Sequence, residues 1–62
     1  MEDIAYKFKI RVKTPDQKQT EETMIVSETD SRLGESIALG KVVRYYEALR
    51  EEKKILDYRI MA

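Results

Sequence analysis

From Ile4 to Lys13 the chain alternates between apolar and other side chains. Ile4, Tyr6, Phe8, Ile10 and Val12 share one side, and Ala5, Lys7, Lys9, Arg11 and Lys13 the other. A period of two held this long specifies a strand with one face buried and one face in water. Thr14-Pro15-Asp16-Gln17 follows and predicts a turn, with proline presetting φ and Asp accepted at the next position. Glu22 to Ser27 predicts a second, shorter strand, with Met24 and Val26 facing inward and Thr23 and Ile25 outward. Side-chain parity then restricts the loop. A two-residue loop would turn Thr23 and Ile25 into the core, whereas an odd loop of three or five residues keeps Met24 and Val26 there. With three, Phe8 faces Met24, Tyr6 faces Val26 and Arg11 faces Glu21.

The period then changes. Thr29, Asp30 and Ser31 are all competent helix N-caps, and Asp30 is the expected one. The helical pattern runs to about Lys53, with Arg50, Lys53 and Lys54 suited to the negative end of the macrodipole. Projected on a helical wheel, Ala38, Leu39, Val42, Val43, Tyr45, Tyr46 and Leu49 form the core stripe, with Arg44, Glu47 and Glu51 opposite. Leu33, Ile37 and Gly40, at i, i+4 and i+7, make a second, weaker apolar line on the far side. Ile55 to Met61 predicts a third strand with Leu56, Tyr58 and Ile60 inward and Ile55, Asp57, Arg59 and Met61 outward.

The order β-β-α-β predicts an α+β fold covering residues 1–62 as one small domain. A right-handed crossover returns the third strand parallel to the second. The expected sheet order is 2-1-3, with the long alternating strand central and antiparallel to both neighbours. One long helix covers one face, and the other stays open.

Size makes that core marginal. A chain of 62 residues buries only about 60% of the surface its unfolded form exposes. Domains this small usually add disulfides, a metal or a partner subunit. With no Cys and no His, disulfides and the two commonest soft metal ligands are absent. Self-association, or an unusually tidy core, is what remains, and a homo-oligomer, a dimer first, is the expected remedy. No cofactor is expected. No long apolar run predicts a membrane span, and the acidic Met1-Glu2-Asp3 start does not read as a signal peptide, so a cytoplasmic location is the default expectation.

Net charge is zero, which removes any global pull toward nucleic acid or an anionic membrane. The charges are segregated, however. Lys7, Lys9, Arg11 and Lys13 stand without an acid between them, while residues 14–35 carry six acids against Lys18 and Arg32. Pairing of the first two strands would neutralise part of this.

Catalysis has little to work with. Without His or Cys, a base or nucleophile falls to Asp, Glu, Lys, Tyr, Ser or Thr, and no acid is placed in an apolar run that would raise its pKa. Tautomerases of this length use an amino-terminal proline, but the only proline here is Pro15 in the turn. Gly34 and Gly40 are too sparse for a phosphate loop. Glu28, Asp30 and Glu35 match no calcium loop and read as helix-end acids. The protein is therefore expected to be a non-catalytic interaction module. Leu33, Ile37, Gly40 and Tyr45 on the helix form one contact surface, and Ile25 and Met61 on the open sheet face form a second. The alternative is a nucleic-acid binder using Lys7, Lys9, Arg11 and Lys13, although no aromatic shares that face for base stacking.

Overall fold

The computed structural model describes residues 3–29 and 32–61. Its elements are β1 (Asp3–Lys13), β2 (Gln19–Thr29), α1 (Gly34–Glu51) and β3 (Asp57–Ile60). The sheet order is β2-β1-β3, and β1 runs antiparallel to both neighbours. The α+β fold is the one the sequence implies.

The hairpin follows from parity. Pro15, Asp16 and Gln17 form a three-residue loop, and the register pairs Phe8 with Met24, Tyr6 with Val26 and Arg11 with Glu21. The Gln17 amide donates to the Thr14 carbonyl, the Thr14 amide donates to the Lys18 carbonyl, and Gln17 takes a φ of 65°. This is a tight turn followed by one left-handed residue, the geometry that odd three-residue hairpins require. The Thr14 hydroxyl also donates to Asp16 and holds that carboxyl below its usual range. β2 is longer than expected, because pairing with the whole of β1 draws polar Gln19 to Glu21 and Glu28 to Thr29 into the ladder.

Both helix ends differ from expectation. α1 begins at Gly34, with Leu33 at the cap position and no side-chain capping bond. The expected caps Asp30 and Ser31 lie outside the described residues, and Thr29 is still in β2. At the other end α1 stops at Glu51, short of Lys53. The Lys53 amide donates to the Arg50 carbonyl and the Lys54 amide to the Leu49 carbonyl, with Lys53 itself at φ 62°. This is a Schellman turn with lysine where glycine is favoured. Lys53→Gly should raise stability by about 1 kcal/mol, read as a higher urea midpoint with an unchanged slope.

The core consists of Phe8, Ile10, Val12, Ala38, Val42, Tyr46 and Ile55, with Tyr6, Met24, Val26, Leu49, Tyr58 and Ile60 packed against it. Every core residue of β1 is even-numbered, as the alternation demands. The helix stripe is narrower than expected. Ala38, Val42 and Tyr46 are buried, whereas Leu39 and Tyr45 are exposed, since a three-stranded sheet is too narrow to cover both shoulders of the helix.

Parity fails before β3. Ile55 is only 8% exposed and Leu56 is 46% exposed, the reverse of the expected assignment. Residues 52–56 form a turn and bend rather than a strand, so alternation governs only from Asp57 onward. Ile55 joins the buried core, and the Leu56 amide donates to the Lys13 carbonyl.

The molecule is flat and long, with extents of 43 × 19 × 12 Å. Its radius of gyration is 12.8 Å, against about 11 Å for a compact chain of this length. Its accessible surface is 4868 Å², against about 4200 Å² for a monomer of this mass.

Candidate interaction surfaces

The first surface is the outer side of α1. Leu33, Ile37 and Gly40 lie on the line expected from their spacing, and Leu33 is 63% exposed. A Cβ on Gly40 would meet nothing within 4 Å, so no packing within the chain requires glycine there. Tyr45 does not join this line. It sits two turns beyond Ile37 on the shoulder of the helix, 51% exposed, with its ring edge-on to Tyr46 at 5.1 Å. The stripe is therefore Leu33, Ile37 and Gly40, with Tyr45 a separate aromatic beside it.

The second surface is the open face of the sheet. Ile25 is 61% exposed and sits opposite Lys7. Met61 donates its amide to Lys9 on the other side of β1. Ile25 and Met61 thus share a face but stand two strand spacings and two residues apart, about 12 Å, with lysine stems between them.

The same face carries the cations. Lys7, Lys9, Arg11 and Lys13 project from β1, and only Arg11 has an ion partner among the described residues, Glu21 at 3.9 Å. Both members of that pair are well hydrated, so it contributes at most about 1 kcal/mol. β3 adds Arg59 directly opposite Arg11. Like charges facing each other across a ladder are unfavourable unless something else compensates them. The two arginines, Lys13, Gln19, Asp57 and Tyr58 rim a shallow depression of about 190 Å³. Arg59 was not among the cations singled out from the sequence. Its outward parity and the 2-1-3 order together place it beside Arg11, so the signal was present.

Between helix and sheet, two tyrosine–carboxylate contacts close the far end of the core. The Tyr46 hydroxyl donates to Glu22 at 2.8 Å, and the Tyr58 hydroxyl donates to Glu47 at 2.8 Å. The two rings stack at 5.7 Å, with the Arg50 guanidinium over Tyr58. Burial, then the Glu22 carboxylate, push the Tyr46 phenol well up from its usual range. The Glu47 contact raises Tyr58. Both shifts move ionisation further from neutral pH, opposite to what a tyrosine base needs. They also set a pH response. A folded-state pKa above the unfolded value of about 10 gives stability that is complete below pH about 10 and is lost as pH rises toward the folded value. Urea midpoints measured from pH 8 upward should be flat and then fall above about pH 10, and Tyr46→Phe should weaken that fall.

Glu28 accepts from Lys41, which holds its carboxyl below the ordinary range and ties α1 to β2. That contact turns Glu28 toward the helix. Glu35 lies in the first turn of α1, and Asp30 is outside the described residues. Among the described residues no helix is long and apolar enough to cross a membrane. Comparison with protein-family models, with curated proteins and with solved structures returned no match.

Proposed function

We propose that this protein is a small non-catalytic interaction module that self-associates, first as a dimer. One observation carries the reading. Among the described residues seven side chains form the buried core, while eight large apolar ones (Ile4, Ile25, Leu33, Ile37, Leu39, Tyr45, Leu56 and Met61) stay exposed. Single exposed apolar groups are ordinary, but eight of them beside a core of seven buried side chains and six partly buried ones leave much apolar surface for a packing partner to cover. The flattened shape and excess surface support the same conclusion. The contact surfaces this reading employs are Leu33, Ile37 and Gly40 with Tyr45 on the helix, and Ile25 with Met61 on the sheet.

Sedimentation equilibrium across a hundredfold concentration range tests it. The expected mass rises from monomer toward dimer. A stable, folded monomer at the highest concentration contradicts the reading.

A second reading rests on the Arg11–Arg59 juxtaposition. An anionic chain such as single-stranded nucleic acid would relieve that repulsion, with Lys7, Lys9 and Lys13 extending the track along β1. Its expected signature is oligonucleotide binding that weakens steeply with salt. Absence of binding at low salt removes it.

A further inference from the structure

We propose that Arg11 and Arg59 clamp the terminal phosphate of a ligand on the open face of the sheet, in the depression they rim with Lys13 and Gln19. This deepens the second reading above, on which its nucleic-acid form rests, by naming the group that the basic track grips first.

The clamp follows from register. Arg11 and Arg59 stand directly opposite each other in the β1–β3 ladder. Their neighbours Ile10, Val12, Tyr58 and Ile60 pack on the helix side, so both arginines project from the other. Residues directly opposite have β-carbons about 4.5–5.5 Å apart, so the two guanidinium groups can converge on one ion. Neither is tied up by the fold. Arg59 is exposed and has no ion partner among the described residues. Arg11 reaches only Glu21, at 3.9 Å, well beyond the roughly 2.7–2.9 Å of a charge-assisted hydrogen bond. Two cations face to face with so little opposing them break the pairing preference of a ladder, and such breaks belong to sites that meet a ligand.

The surroundings keep the charge positive. Lys13 lies two residues beyond Arg11, with Gln19 opposite it on one side and Asp57 on the other. Asp57 is the one acid on the rim, and it is already engaged. Its Oδ1 accepts from the Tyr58 amide at 2.9 Å and lies 3.7 Å from Arg50 of α1. Three rim cations therefore have no close anion of their own.

Volume and charge select the ligand. The depression holds about 190 Å³, below the roughly 300–1,000 Å³ of pockets that enclose a whole small molecule. It suits one group presented from outside. A carboxylate brings a single negative charge, as does a phosphate within a nucleic-acid chain. A phosphate monoester carries about −1.5 to −2 at neutral pH and three acceptor oxygens, which two arginine forks can share. The terminal phosphate is the better match. Lys9 and Lys7 continue along the same face to about 14 Å from Arg11, so a strand held by its end at the clamp would run over them.

Short oligothymidylates carrying a phosphate at the 5′ end, at the 3′ end or at neither, and inorganic phosphate, are the probes, all at one low ionic strength set with chloride. A terminal phosphate should tighten strand binding about tenfold, with amide shifts centred on Arg11, Lys13 and Arg59. Arg11→Gln and Arg59→Gln should each remove that preference while the circular dichroism persists. Arg59→Lys should keep only part of it, because lysine retains the charge and lacks the fork. Lys7→Gln should weaken all strands alike and leave the preference intact. Strands that bind equally with or without a terminal phosphate overturn the clamp and leave the nucleic-acid reading standing. A phosphate preference that survives Arg59→Gln also overturns it. If no strand binds, but inorganic phosphate shifts Arg11 and Arg59 in the parent and not in Arg59→Gln, the nucleic-acid reading falls and the clamp stands for a free phosphate monoester. Inorganic phosphate acting no differently from chloride, with no strand bound, removes both.

Discussion

Gly34→Ala and Gly40→Ala should move stability in opposite directions, although both glycines belong to α1. A Cβ on Gly34 would lie 2.3 Å from the Thr29 carbonyl oxygen and 2.7 Å from the Tyr6 hydroxyl. The hydroxyl can swing away, but the carbonyl belongs to the backbone of β2. Helix and hairpin must therefore separate to admit one methyl group, which costs about 2–3 kcal/mol. Gly40 has open space where its Cβ would be, so alanine there only removes the entropy that glycine loses in a helix. That gain is about 0.5–1 kcal/mol. Urea unfolding of the two variants under one condition gives the comparison. Equal effects, or a destabilised Gly40→Ala monomer, would mean that α1 does not sit on β2 as described. Gly40→Ala that stabilises the monomer while weakening a complex would identify Gly40 as a contact point.

Ile10→Ala should be the most damaging single truncation in the sheet. Ile10 is fully buried at the centre of the middle strand. It pairs with Glu22 on one side and Ile60 on the other, so no neighbouring main chain is free to collapse into the space. Truncations of this kind cost about 2–5 kcal/mol. The whole stability expected of a chain this size is about 3–9 kcal/mol. Ile10→Ala should therefore leave a large unfolded fraction at 25 °C, visible as lost circular dichroism. Ile4→Ala, at the strand end and 37% exposed, should cost much less. Similar losses at the two positions would contradict the core assignment.

The parts of the fold that were legible share one cause. Where one side of a strand is buried, a slip of a single residue exposes the whole apolar set. The alternation of β1 therefore fixed its own orientation, the parity of the hairpin loop and the Arg11–Glu21 pairing. Long-range pairing overrode local preference elsewhere. Gln19 to Glu21 would not form a strand alone, yet β1 holds them in one. Ile55 and Leu56 exchanged places because a left-handed turn at Lys53 interrupts the chain, and lysine gives no local sign of that conformation. Which groups close on Gly34, the Thr29 carbonyl and the Tyr6 hydroxyl, is visible only in the structure.

The candidate surfaces were legible unevenly. The helix spacing places Leu33, Ile37 and Gly40 on one line, while Tyr45, nominated as an aromatic anchor, stands apart from it with its ring edge-on to Tyr46. The cations of β1 were evident, while Arg59 required the sheet order to be applied to charge as well as to packing. β3 is four residues long against eleven in β1, shorter than the expected third strand, because the turn and bend after α1 take up residues 52–56.

Residue-resolved amide hydrogen exchange along β1, in dilute and concentrated samples, tests the central claim most directly. The account requires the amides of Tyr6, Phe8 and Ile10 to be slow at both concentrations, since each bonds across to β2. Ala5 and Lys7, whose amides point away from β2, should exchange faster than these. Fast exchange at Tyr6 and Phe8, or protection of Ala5 and Lys7 equal to theirs in a sample shown to be monomeric, would contradict it.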